Sequence, residues 1–141
     1  MESSPPAIGH LLETALYCDD LGRTAAFYSR LLNREPMSAG ERLVALDAGQ
    51  RTVLLLFQRG RTLEPLSTPT GTVPAHDGSG AVHLAFAIAR DDVETWIARL
   101  RELRIDLESH VRWSRGGESL YFRDPDGRSV ELATPGTWPV Y

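Results

Sequence analysis

The chain has 141 residues, 42% of them apolar and 24% charged, which is enough core-forming material for one compact domain or two small fused modules. The net charge of −4 excludes a broad nucleic-acid-binding surface, and no apolar run reaches the length of a membrane span. All fifteen cationic residues are arginine, which removes lysine Schiff-base chemistry and the phosphate-binding P-loop. A lone cysteine, Cys18, excludes an internal disulfide and thiolate zinc sites. The N-terminal Met1-Glu2-Ser3-Ser4-Pro5-Pro6 has no basic or apolar signal, so a cytoplasmic location is expected.

In chain order, residues 11–18 predict a strand with Leu12, Thr14, Leu16 and Cys18 on one face and Glu13, Ala15 and Tyr17 on the other. Asp19-Asp20 offers a helix cap, and Leu21, Ala25, Tyr28 and Leu32 follow at helical spacing. Three short strands are then predicted near 34–38, 42–48 and 51–58. A stretch rich in proline and glycine, about 59–80, is too long for an ordinary connection and reads as a linker or flap.

The same order returns in the second half. Residues 81–89 predict a strand with Val82, Leu84, Phe86 and Ile88 on one face and His83, Ala85 and Ala87 on the other. Asp91 is placed to cap a second helix, with Glu94 three residues on and Val93, Trp96, Ile97, Leu100 and Leu103 as its apolar stripe. Strands follow near 107–113, 118–123 and 128–134, the last two joined by the turn Asp124-Pro125-Asp126-Gly127. The prediction is an α+β domain of two β-α-β-β-β modules, about 8–58 and 81–134, forming one curved mixed-sheet cup with helices on its outer face. In the tail, 135–141, Trp138 and Tyr141 are expected to pack on the body or on a second subunit.

Superposing the halves puts Glu13 and His83 at equivalent strand starts, with Glu131 on the same helix-free face and Leu54 as its counterpart. One imidazole and two carboxylates then share a surface, with Ala15, Ala85 and Ala87 leaving room beside them. Each residue alone is equally well read as a polar side chain facing water; the pattern lies in the coincidence of parity. Alternation places Ser119, Tyr121 and Arg123 with Glu131, Tyr17 has the same standing as Tyr121, and Leu54, Leu56 and Gln58 line an opposite pocket wall. Trp113, Arg115 and Gly116-Gly117 fall at the sheet's end, suited to gate an aromatic or anionic ligand, and His76 in the connector is placed to close over one.

Three passages carry a family resemblance: residues 12–28 (Leu-Glu-Thr-Ala-Leu-Tyr-Cys-Asp-Asp-Leu…Ala-Ala-Phe-Tyr), 83–88 (His-Leu-Ala-Phe-Ala-Ile) and 119–132 (Ser-Leu-Tyr-Phe-Arg-Asp-Pro-Asp-Gly-Arg-Ser-Val-Glu-Leu). Together they resemble the vicinal-oxygen-chelate superfamily of glyoxalases, fosfomycin-resistance enzymes, extradiol dioxygenases and bleomycin-resistance proteins. The resemblance implies a cup around a divalent metal (Mg, Mn, Fe(II) or Zn) held by Glu13, His83 and Glu131. Glu13 stands where many metal-using relatives carry histidine, and Leu54 where the glyoxalase I type adds a fourth ligand. Two carboxylates and a neutral imidazole with a divalent ion sum to zero charge, and oxygen-rich ligation suits hard ions. The resemblance therefore implies a metal-dependent lyase, isomerase or transferase acting on a small oxygenated molecule, with Glu131 and Tyr121 as catalytic groups. Its alternatives are a metal-free ligand-sequestering protein of the bleomycin-resistance type and an extradiol-type dioxygenase. A homodimer is expected in each case.

Overall fold

The computed structural model describes residues 4–141. Module one comprises β1 (Glu13–Cys18), α1 (Leu21–Leu32), β2 (Ser38–Ala39), β3 (Leu43–Asp47) and β4 (Val53–Gln58). The connector carries a small hairpin, β5 (Leu66–Thr68) and β6 (Gly71–Val73), that hydrophobic periodicity does not foretell. Module two comprises β7 (His83–Ala87), α2 (Val93–Glu102), β8 (Ser109–Arg112), β9 (Glu118–Arg123) and β10 (Ser129–Ala133). The chain thus has the predicted α+β class and the predicted repeat.

Local chemistry explains the boundaries. Asp20 caps α1, its carboxylate accepting from the Arg23 N–H at 3.1 Å, and Asn33 ends the helix in the left-handed region. The second helix differs from the prediction. Asp92 N–H donates to the Ala89 carbonyl, which winds Arg90–Asp92 into a 3₁₀ turn. Asp91 is consequently inside that turn rather than capping, and α2 starts without a side-chain cap.

Each module forms a four-stranded sheet, ordered β1-β4-β3-β2 and β7-β10-β9-β8. In both, the first and last strands pair in parallel: Glu13 lies beside Val53 and Ala15 beside Leu55, as His83 lies beside Ser129 and Ala85 beside Glu131. The register corrects the predicted superposition, since the counterpart of Glu131 is Leu55 and not Leu54. A shift of one residue exchanges the faces of a strand. Leu54 and Leu56 accordingly turn into the core, 3% and 0% exposed, and do not form a pocket wall facing Glu131. The uninterrupted run Val53-Leu54-Leu55-Leu56-Phe57 contains no polar residue to mark parity.

Leu16 and Leu56 of the first sheet, Tyr28 of α1, Leu100 of α2 and Leu120, Phe122 and Val130 of the second sheet share one core. No strand of one sheet is hydrogen-bonded to a strand of the other. The halves are joined by α1 and by the β9–β10 turn. Phe27 and Tyr28 reach Phe122 and Phe86, with ring centroids 6.5 and 6.4 Å apart. The Tyr28 hydroxyl donates to Asp124 at 2.6 Å, and Arg128 donates to Asp124 at 3.0 Å and Asp126 at 3.2 Å. Arg128 also donates to the Tyr17 carbonyl on β1, while Asp126 accepts from the Thr24 hydroxyl and the Asp19 N–H. Gly127, at φ +81, closes the turn that presents these groups.

The tail packs only in part. The Tyr141 hydroxyl donates to the Ile88 carbonyl at 3.0 Å, whereas Trp138 remains 68% exposed.

Tyr28, Asp124 and Arg128 are all buried, so the clasp is sensitive to loss of a single partner. Arg128→Met leaves Asp124 as an unpaired buried charge and is expected to cost about 3–5 kcal/mol in urea unfolding. Tyr28→Phe, which removes one hydrogen bond to that carboxylate, is expected to cost about 1.5–3 kcal/mol. Burial raises the Asp126 carboxyl, but its bonds from Thr24, Asp19 and Arg128 outweigh this and hold it below the usual range. Its stabilisation is therefore complete above the unfolded value near 4 and is lost as pH falls through the lower folded value. Asp126→Asn is expected to flatten that part of the acid limb in pH-dependent melting.

Candidate functional site

The two halves of the predicted site behave differently. In module two, β7 and β10 run side by side and carry His83 and Glu131 on the same helix-free face. The His83 ring is fixed from behind: Nδ1 lies 2.8 Å from the Ser129 carbonyl oxygen. A carbonyl only accepts, so Nδ1 carries the hydrogen of that bond. Nε2 then faces Glu131 Oε1 at 3.1 Å, and one proton held between the two makes that contact a hydrogen bond. The same arrangement leaves Nε2 of a neutral ring as a lone pair aimed at the space beside a carboxylate oxygen. Backing of a ligating imidazole by a carbonyl is the usual second-sphere support of a metal-binding histidine.

The Glu131 side chain is only 9% exposed, against 49% for His83. Its other oxygen, Oε2, accepts from the Ser119 hydroxyl at 2.5 Å, and Ser119 in turn accepts from Trp113 Nε1 at 2.8 Å. Tyr121 stands directly across the β9–β10 ladder from Glu131, and its ring centroid is 6.2 Å from that of His83. Burial and the neighbouring Glu131 charge push the Tyr121 phenol up, which keeps its hydroxyl a hydrogen-bond donor.

Glu13 does not join them. It is exposed at the start of β1 on the other sheet, and among the described residues no group of three or more His, Cys, Asp or Glu is placed to hold a metal ion. The expected convergence of Glu13, His83 and Glu131 is not met inside a single copy, where His83 and Glu131 form a pair and Glu13 lies on a separate face. Parity along β1, β7 and β10 was legible; the distance between the sheets was not.

Other predicted pocket residues have structural work. Gln58 accepts from Leu21 N–H at 3.0 Å and donates to the Cys18 and Asp19 carbonyls, tying the end of β4 to the start of α1. Arg123 makes a two-pronged pair with Glu108 at 2.7 and 3.0 Å at the sheet's end. Arg115 is exposed in the turn beyond Trp113. Trp113, predicted as a gate, instead donates into the Ser119–Glu131 chain.

Tyr17 lies on the helix-free face of module one, where the connector folds over it. His76 Nδ1 is 2.5 Å from the Tyr17 hydroxyl, and the His76 ring meets Phe57 edge-on at 4.8 Å. Thr62 and His76 bond through backbone groups, and Gly78 lies so close to the Tyr17 ring that a Cβ there would approach it to 2.8 Å. A cleft of about 460 Å³ opens between Tyr17, Arg59, Gly78, Val82 and Arg128. It does not include His83, which is half exposed, or Glu131, which is buried beside it. Sequence reasoning missed Phe57 because the apolar run of β4 hides its parity, although its position opposite His76 needs the folded connector in any case.

With this geometry in place, residues 7–132 match the Glyoxalase/Bleomycin resistance protein/Dioxygenase superfamily. The chain belongs to that superfamily. It is 27% identical over 117 residues to a metallothiol transferase FosB of Staphylococcus epidermidis, covering 82% of this chain and 74% of that protein. A metallothiol transferase FosB of Bacillus licheniformis is 27% identical over 128 residues, with 90% and 74% covered. Among solved structures, a lactoylglutathione lyase from Agrobacterium tumefaciens superposes with a TM-score of 0.81 at 34% identity, covering 97% of this chain and 99% of that one. The superfamily thus contains both a transferase and a lyase at this level of similarity. Among the described residues no helix is long and apolar enough to cross a membrane.

The connector's hold on module one rests on few groups. His76→Ala removes a hydrogen bond and an aromatic contact, worth about 1–2 kcal/mol together. Limited proteolysis of residues 62–80 is expected to accelerate about tenfold, with little change in the global melting temperature.

Proposed function

We propose that this protein is a divalent-metal-dependent enzyme, a lyase, isomerase or transferase acting on a small oxygenated molecule. The observation that carries the reading is the fixed His83 ring, with Nδ1 committed to the Ser129 carbonyl and Nε2 beside Glu131 Oε1. His83 Nε2 and Glu131 Oε1 would hold the ion, and the relatives named a metallothiol transferase and a lactoylglutathione lyase support the same reading. The hard, oxygen-rich donor set suits Mg, Mn or Fe(II), with Zn also accommodated.

Glu13 is the third ligand in this reading, supplied by a second copy of the chain. Two observations support that arrangement: Glu13 is exposed on the helix-free face of one sheet, and His83 is half exposed on that of the other. A two-fold pair of chains can bring module one of each against module two of its partner, making two equivalent cups.

A bound ion supplies Lewis-acid polarisation of a substrate oxygen. The chain's own residues do the rest. His83 and Glu131 fix where the reacting oxygens lie, Tyr121 donates a hydrogen bond toward them, and the small Ala85 and Ala87 leave space above β7. Burial and then the neighbouring Glu131 charge strengthen the hold of the phenol on its proton, so the Tyr121 hydroxyl is a donor in this reading.

Elemental analysis of protein purified without chelator is expected to find about one divalent ion per chain, lost in both His83→Ala and Glu131→Ala. Wild-type protein that takes up no divalent ion overturns the metal-dependent reading and favours a metal-free ligand-binding role. The shared site has its own test. Glu13→Ala and His83→Ala chains, each deficient alone, are unfolded and refolded together. About a quarter of the wild-type metal content is expected to return, because half of the dimers are mixed and each has one intact site. No recovery overturns the contribution from a second copy.

A further inference from the structure

Glu131 has two oxygens, and the structure treats them differently. Oε1 faces Nε2 of the half-exposed His83, whereas Oε2 is turned to Ser119, which is fully buried. The direction of every bond in this chain is dictated by chemistry. An indole N–H only donates, so Ser119 Oγ must accept from Trp113 Nε1. That acceptance leaves the Ser119 hydroxyl hydrogen free to point at Glu131 Oε2. Trp113, Ser119 and Glu131 therefore form a line of donations ending on one carboxylate oxygen, and each bond polarises the next.

We propose that Trp113 and Ser119 are positioning residues for the metal centre: they hold Glu131 Oε2 so that the carboxylate ligates through Oε1 alone. This rests on the metal-dependent reading above. A carboxylate without such a restraint is free to rotate and offer both oxygens, taking a coordination place that a substrate oxygen needs. Held by Ser119, Glu131 contributes one oxygen and keeps the remaining places open. Trp113 is 41% exposed, so the relay runs from the protein surface to a buried carboxylate. Neither residue touches the ion or the reacting atoms in this scheme.

The experiment is calorimetric titration of metal-free protein with Zn(II), combined with infrared difference spectra of the Glu131 carboxylate stretches in the same samples. Ser119→Ala is expected to weaken Zn(II) binding about 10–100-fold, and Ser119→Thr, which retains a hydroxyl, to recover most of it. Trp113→Phe keeps an aromatic ring at a partly exposed position and is expected to weaken binding several-fold. The separation between asymmetric and symmetric carboxylate stretches, wide for one-oxygen ligation, is expected to narrow in Ser119→Ala and stay wide in Ser119→Thr. A Ser119→Ala protein that is folded by circular dichroism and binds Zn(II) like wild type, with an unchanged spectrum, overturns the proposal. Should the Ser119 variants fail to fold, Trp113→Phe decides it: unchanged affinity and spectrum overturn it. Wild-type protein that binds no Zn(II) overturns the metal reading and this proposal together, whereas wild-type binding with indifferent variants overturns this proposal alone.

Discussion

The guanidinium of Arg128 is buried at the junction of the two modules, and the relation between the sheets depends on it. It reaches Asp124 and Asp126 on its own turn and the Tyr17 carbonyl on β1, so one side chain ties module two to the first strand of module one. No backbone ladder does this. A buried guanidinium is tolerated only when its charge and donors are matched, and two carboxylates with a backbone oxygen supply that match. Tyr28 and Thr24 of α1 then bond the same two carboxylates, which makes the helix part of the clasp. The turn Asp124-Pro125-Asp126-Gly127 is therefore much more than a reversal between strands.

That clasp has a consequence for the site. With both helices and both inner sheet faces committed to one core, the outer face of module one is covered by the connector at Tyr17 and Phe57, and that of module two stays open at His83. Ser119 and Glu131 are buried and joined to each other, with the Trp113 indole bonded to Ser119. His83, at the strand's start, stays half in water. The polar cluster is consequently rigid on its inner side, where a carbonyl and a serine hold each member, and open on its outer side. Such asymmetry holds the two side chains still on one side and leaves the His83 edge accessible on the other.

Much of this was legible in the residues. The order β-α-β-β-β twice over, the Asp20 cap and the faces of β1, β7, β9 and β10 all follow from alternation and turn chemistry, because polar and apolar residues alternate cleanly there. The parity of β4 did not, since five successive apolar residues carry no alternation, and Leu54 and Leu56 were read onto the wrong face. Asp91 was misplaced as a cap because a 3₁₀ turn ahead of α2 leaves no periodic trace. His83 and Glu131 were legible as a pair because their strands are parallel neighbours in one module. Glu13 was not, as its distance from them depends on how two unlinked sheets are set, a property of tertiary packing that strand periodicity does not encode.

The relay behind Glu131 shows what kind of signal remains hidden. Ser119 was placed on the right face by alternation, yet nothing in its spacing said that its hydroxyl would meet Glu131 and not water. Trp113 was read as a gate because it follows the last residue of β8 near a glycine turn. Its indole instead turns back across β9, six residues along the chain, to reach Ser119. A tryptophan at a strand's end has two uses, covering apolar surface and donating one hydrogen bond, and only the second fixes its direction. Once that single donor is assigned, the direction of the serine hydroxyl follows, then the engaged carboxylate oxygen, and finally the oxygen left facing His83. The order of donations in this relay is thus set by the indole N–H at its outer end, which can donate but not accept.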